Sequence, residues 1–164
     1  MLIKGGVMTL SDRSSRGEYE DLSGPAIIEG LSSLGISWIK SEVLPDEESL
    51  IAAALKDWSD EAGLDLILTT GGTGPAPRDR TPEATRAVLD FEIPGIPESL
   101  RAAARDRVPT ACLTRGIAGV RGKTVIINLP GSPKAVREST AVLLPFLVHL
   151  IEKVKGDPSE CGSP

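Results

Sequence analysis

Two aspartates and a glycine-rich turn are the residues of this sequence best suited to chemistry. Asp46 follows Pro45, and Asp79 stands between Arg78 and Arg80, shortly after Thr70-Gly71-Gly72-Thr73-Gly74. Glycines in such a run accept positive φ and let backbone amides approach a ligand, which is how glycine loops cradle phosphate. A carboxylate flanked by two guanidinium groups suits an anionic ligand with a metal or a proton transfer beside it. The plainer reading of each feature is a tight strand-to-helix turn and a solvated charged surface. If Asp46 and Asp79 converge on a phosphate, like charges at ~4 Å repel by about 4 kcal/mol per pair at an effective dielectric of ~20. Magnesium, held by one or two carboxylates and by substrate phosphate, relieves that repulsion. A further group is Gly131-Ser132-Pro133-Lys134. Ser132 as N-cap with Pro133 after it predicts an exposed helix start that favours an anion. Lys134 in the first turn opposes the helix dipole by some tenths of a kcal/mol unless an anion is bound.

The elements that must hold these residues alternate between strand and helix patterns. Leu64, Leu66, Ile67 and Leu68 predict a strand buried on both faces of a parallel sheet. Thr81-Pro82 predicts the start of the helix after the glycine loop, with Thr81 as N-cap. Upstream, Ile3 to Leu10 reads as a first strand, followed by Ser11-Asp12-Arg13 and a flexible polar loop to about Ser23, which caps the next helix. Ile36 to Leu44 reads as a strand, suited to an edge by its imperfect alternation. Asp46 then caps a helix bearing Leu50, Ile51, Ala54, Leu55 and Trp58. Ser99 to Arg107 predicts a helix with alanines inward and arginines outward. Arg115 to Arg121 and Lys123 to Asn128 predict strands joined by a turn at Arg121-Gly122. In the last helical stretch Pro145 implies a kink or two consecutive helices. The pattern is α/β, a three-layer sandwich with a mostly parallel central sheet, in one domain over residues 1–156 with a disordered tail at 157–164. Ser11-Asp12-Arg13, Pro45-Asp46, Gly71 to Asp79 and Gly131 to Lys134 each follow the carboxyl end of a strand, where ligands of such sheets bind. They are therefore expected to meet on one edge.

Composition narrows the function classes. The 164 residues carry 18 basic and 23 acidic side chains, a net charge of −5 that disfavours a nucleic-acid surface. Aromatic residues make up 3%, too few for base-stacking platforms. No apolar run approaches the ~18 residues of a membrane span, and the N-terminus reads as a strand, not a signal peptide. Cys112 and Cys161 form neither a disulfide framework nor a metal cluster, which predicts a reducing, cytoplasmic setting. His149 is the only histidine and stands far from every motif, so no Ser-His-Asp or Cys-His nucleophile can be assembled. Phosphoryl transfer needs none, since positioning and charge stabilisation supply most of its catalysis.

The blocks TLSDR (Thr9 to Arg13), LPDEE (Leu44 to Glu48), TTGGTG (Thr69 to Gly74), RDRTPEAT (Arg78 to Thr85) and LPGSPKA (Leu129 to Ala135) together resemble the molybdopterin adenylyltransferases, the family that includes the N-terminal domain of gephyrin. The likeness runs from about Ile3 to Lys155. The glycine loop and the residues after LPG resemble this family more than its relatives of the same fold. The resemblance implies magnesium-dependent transfer of AMP from ATP to the terminal phosphate of molybdopterin, with release of pyrophosphate. It matches Asp46 and Asp79 to the two catalytic, metal-holding aspartates. It matches Ser11, Asp12, Arg13, Thr70, Gly71, Gly72, Thr73, Gly74, Arg78, Gly131, Ser132 and Lys134 to substrate-binding segments, and it implies a homotrimer. The sequence departs from the family at Arg80, where a small apolar residue is common, and in its short C-terminal end. The alternative is a molybdopterin-binding carrier without catalysis.

Overall fold

The computed structural model describes residues 2–158. A six-stranded sheet of order β2-β1-β3-β6-β5-β4 forms the middle layer. Its strands are β1 (Lys4–Leu10), β2 (Ser37–Leu44), β3 (Leu66–Thr70), β4 (Phe91–Glu92), β5 (Ala118–Arg121) and β6 (Thr124–Leu129). β2, β1, β3 and β6 run parallel, whereas β5 turns back antiparallel beside β6 and pairs antiparallel with β4. Every residue of β3 and β6 is buried, as the near-continuous apolar runs require.

Among the described residues, seven α-helices flank the sheet: α1 (Asp12–Ser15), α2 (Ser23–Gly30), α3 (Glu48–Lys56), α4 (Thr81–Arg86), α5 (Gly95–Arg105), α6 (Pro133–Leu143) and α7 (Leu147–Val154). Strand alternation divides the core. Val7, Leu66, Leu68, Val125 and Ile127 pack with Ile27 of α2, Ile96 of α5, Val136 of α6 and Ile151 of α7. Met8, Ile67 and Ile126 face the other way, onto Ile51 and Leu55 of α3, Ala84 of α4, and Trp58 in the π-helical turn Asp57–Glu61. Each of these large side chains stabilises the fold by about 1.5–3 kcal/mol through burial.

Several expectations need correction. The stretch after Ser11 opens with α1, because Ser11 accepts a hydrogen bond from the Ser14 N–H and caps it. Ser23 does not cap α2; Asp21 does so from upstream, its Oδ1 accepting the N–H groups of Ser23 and Gly24, both at 3.0 Å. Aspartate caps as well as serine does, and here it stands at the right distance. On α5, Ala102 and Ala103 face outward and are exposed, since the inner face is supplied by Ile96 and Leu100. The strand expected from Arg115 begins only at Ala118. At Pro145 the second of the two expected outcomes is present: α6 ends at Leu143 and α7 begins at Leu147, two consecutive helices. Asp157 still ties back to α7 through its N–H to the Glu152 carbonyl at 3.0 Å. The rest of the predicted tail, 159–164 with Cys161, lies outside the described residues.

Candidate active site

The strand order reverses direction between β1 and β3, and at that crevice the loops from four strand ends are stitched together. The Ser11 N–H donates to the Leu44 carbonyl at 2.9 Å, and the Gly71 N–H donates to the Leu129 carbonyl at 3.3 Å. Hydroxyls complete the seam: Thr70 donates to the Pro130 carbonyl at 2.7 Å and Ser23 to the Gly131 carbonyl at 2.6 Å. The convergence expected from spacing alone is therefore present.

A cleft of about 420 Å³ opens between these loops. It brings together Ser11, Thr70, Gly71, Gly131 and Ser132 from the sequence-predicted set. Tyr19 and Asp21, absent from the sequence-predicted set, also line it, together with Ser23, expected only as a helix cap. Asp12, Asp46, Gly72, Thr73, Gly74, Arg78, Asp79 and Lys134 do not line the cleft, and neither does Arg13, which lies over the Tyr19 ring, 5.0 Å from its centroid, a cation–π distance. A second groove of about 210 Å³ between α5 and α6 is mostly apolar. The glycine-loop cleft is the better candidate, because the convergent polar groups are there.

The two predicted aspartates adjoin the glycine loop. The Asp46 N–H donates to Asp12 Oδ1 at 3.0 Å, while Asp46 Oδ2 accepts the Asp12 N–H at 3.1 Å. This reciprocal pair replaces the helix cap expected of Asp46: α3 begins at Glu48 with no side-chain cap. Asp46 Oδ1 is buried and has no hydrogen-bond partner. It lies against Gly72, 2.8 Å from where a Cβ would stand. Burial, with lesser contributions from the Asp12 and Asp79 charges, holds the Asp46 carboxyl above the ordinary range. Asp12 is held below that range, chiefly by hydrogen bonds from the Arg78 guanidinium, at 2.9 and 3.0 Å. Arg78 also reaches Glu47 at 3.0 Å, so the arginine expected to meet substrate is latched to two carboxylates.

Asp79 closes its own turn, its Oδ2 accepting the Ala76 N–H at 2.9 Å and standing 2.8 Å from the place of a Cβ at Gly74. Thr81 does not cap α4 with its hydroxyl, as the sequence suggests; Oγ1 donates to the Gly71 carbonyl at 2.9 Å, and its N–H donates to the Gly72 carbonyl at 3.1 Å. Thr85 and Asn128 extend this support beneath the loop: Thr85 Oγ1 donates to the Thr81 carbonyl, and Asn128 Nδ2 donates to Thr85 and Thr69. Thr73 turns its hydroxyl to Thr114 at 3.1 Å. Arg80, a departure from the family pattern, pairs with Glu48 at 2.7 Å, away from the cleft.

A magnesium site is tested by the donors present. Among the described residues no group of three or more His, Cys, Asp or Glu side chains forms a metal cage. Magnesium does not require one, since it keeps water and shares substrate phosphate. The unpartnered Oδ1 of Asp46, under the charge of Asp79, is a donor that a cation would complete. The residues fit the ion.

Ser132 caps α6 as predicted, accepting the Ala135 N–H at 3.1 Å. Lys134 stands exposed in the first turn. Lys134→Gln is expected to leave ligand-free stability unchanged or slightly raised, because a cation at a helix start is unfavourable. Affinity for the phosphorylated ligand should fall about ten- to a hundredfold, the worth of a charge-assisted contact of about 1.5–3 kcal/mol. Calorimetric titration at two ionic strengths checks this: equal affinity and equal salt dependence would leave Lys134 an ordinary surface lysine.

Comparison with known proteins bears on the same residues. A family model described as a probable molybdopterin binding domain matches residues 6–149, which include all four site loops. The chain belongs to that family. Among curated members, a molybdopterin adenylyltransferase of Helicobacter pylori (strain J99) is 46% identical over 154 residues, covering 93% of this chain and 88% of the relative. The molybdopterin adenylyltransferase of Escherichia coli (strain K12) is 43% identical over 136 residues, covering 82% and 70%. Among solved members, the molybdopterin biosynthesis enzyme MoaB of Thermus thermophilus superposes with a TM-score of 0.90 at 49% identity, covering 97% of this chain and all of that one. The tungsten cofactor synthesizing protein MoaB of Pyrococcus furiosus superposes with a TM-score of 0.85 at 36% identity, covering 94% and 98%. Molybdopterin-binding family members of this likeness share the α/β sandwich described above.

Proposed function

We propose that this chain is a molybdopterin adenylyltransferase, moving AMP from ATP to the terminal phosphate of molybdopterin in molybdenum cofactor biosynthesis. An oxygen of the pterin's phosphate attacks the α-phosphorus of ATP. A new P–O bond forms, the bond between the α-phosphorus and its bridging oxygen breaks, and pyrophosphate leaves with the electron pair. Magnesium, when bound through Asp46 and Asp79, would supply charge neutralisation at the phosphates. The chain's own residues do the remaining work: the Gly71–Gly74 backbone and the α6 start hold phosphate, and the stitched loops hold both substrates in line. The observation that carries the reading is the orphaned Asp46 Oδ1 under the glycine loop. A carrier that only binds a phosphorylated pterin gains nothing from such a carboxylate.

The test is titration of the purified protein with molybdopterin and Mg-ATP, with pyrophosphate as the readout. Stoichiometric binding without pyrophosphate would favour the carrier. The proposal extends to a homotrimer, checked by sedimentation, and to a cytoplasmic setting. No helix among the described residues is long and apolar enough to cross a membrane.

A further inference from the structure

Arg115 precedes β5 and belongs to none of the motifs above, yet it holds the glycine loop at several points. Its N–H donates to the Thr73 carbonyl at 2.7 Å. Its Nε donates to the Gly74 carbonyl at 2.9 Å, and its Nη2 donates to the Asp79 carbonyl at 2.7 Å. The same guanidinium pairs through Nη1 with the Glu83 carboxylate in the first turn of α4. One planar fork thus ties both ends of segment 74–79 to each other and to a helix. That segment carries Arg78 and Asp79.

The geometry needs arginine. A guanidinium presents five donors in fixed directions, whereas an ammonium is a point charge on a flexible stem and cannot meet two carbonyls and a carboxylate in one plane. The Arg115 side chain is 37% exposed and that of Glu83 24%, so water competes only in part. Arg115 in turn holds the Glu83 carboxyl below its ordinary range. Within the clamped segment, Asp79 Oδ2 accepts the Ala76 N–H, so the orientation of this carboxylate depends on the span that Arg115 sets.

We propose that Arg115 is a positioning residue for adenylyl transfer: by bridging the carbonyls of Gly74 and Asp79 it places the Asp79 carboxylate against Gly74 of the glycine loop, without touching substrate. The inference rests on the adenylyltransferase reading, which gives Asp79 its task. A displacement of about 1 Å at such a group costs up to about a hundredfold in rate.

The test compares the full-length parent with Arg115→Lys and Arg115→Ala, each first shown folded by circular dichroism. Arg115→Lys is expected to lower kcat about ten- to a hundredfold and to raise the magnesium concentration for half-maximal turnover, with the KM for molybdopterin little changed. Low, non-denaturing guanidinium is expected to restore part of the turnover of Arg115→Ala. Amide hydrogen exchange at Ala76 should accelerate in both variants. A folded Arg115→Lys with parental kcat and magnesium dependence would overturn the inference. So would a loss that guanidinium does not relieve and that leaves Ala76 exchange unchanged. An inactive parent would instead defeat the functional reading, so the two failures are distinguishable.

Discussion

Replacing Asp46 or Asp79 by asparagine is expected to lower turnover about tenfold or more while leaving the fold intact. On the proposed function both groups serve the phosphates and their counter-ion, and neither is part of the apolar core. For Asp79→Asn, the amide oxygen can still accept the Ala76 N–H, so the turn survives while the charge is lost. For Asp46→Asn the stability effect has a definite sign. Burial raises the folded-state value of the Asp46 carboxyl above its unfolded one. Stability from this group is therefore present at low pH and is lost as pH rises through the raised value. Above that raised value the folded protein holds a buried, half-paired carboxylate, and the asparagine removes that cost. Denaturant unfolding should show Asp46→Asn at least as stable as the parent at pH 7, with the difference shrinking as Asp46 becomes protonated in acid. Asp12 behaves in the opposite sense. Its lowered value gives stability above the ordinary carboxylate range that is lost on acidification, and this contribution is common to parent and variant. Parental turnover in both asparagine variants would remove these carboxylates from the mechanism.

Gly72→Val is expected to abolish ligand binding. Gly72 sits at φ +63°, a conformation that a β-branched residue resists by about 1–2 kcal/mol. A Cβ there would also collide with Thr81 Oγ1 and come within 2.8 Å of Asp46 Oδ1. The substitution therefore displaces the hydroxyl that fixes the Gly71 carbonyl together with the orphaned carboxylate oxygen. Gly72→Ala retains the collision but omits the branch, and should fall between parent and valine in affinity. Calorimetry with molybdopterin, alongside a thermal melt, checks this; parental affinity in a folded Gly72→Val protein would reduce the loop to a simple turn.

Much of the architecture is legible in the sequence because its signals are local. The apolar runs of β3 and β6, the Ser132-Pro133 helix start and the Pro145 break each depend on neighbours a few residues away. The placement of four loops at one edge follows from strand direction. What escapes are side chains that act at long range. Thr-Pro commonly starts a helix and so predicts a cap at Thr81, but the carbonyl of Gly71 lies within reach and wins the hydroxyl. Asp46 carries the same local signal, and the reciprocal pairing with Asp12 from another loop takes the place of the cap. Asp21 has a readable signal, an aspartate just ahead of Ser23-Gly24-Pro25, which the serine obscures. Arg115 has none, since the carbonyls it binds belong to a distant stretch of the chain.

The position of β3 between β1 and β6 has a consequence for the chain as it is made. β1 is synthesised first and can pair with β3, but β6 follows only after α4, β4, α5 and β5. Until then β3, with Leu66, Ile67 and Leu68, offers an unpaired edge to other nascent chains, the kind of surface on which aggregation starts. The strand that presents the glycine loop thus spends part of translation with one edge open to mispairing, and variants that slow closure by β6 are expected to reduce yield.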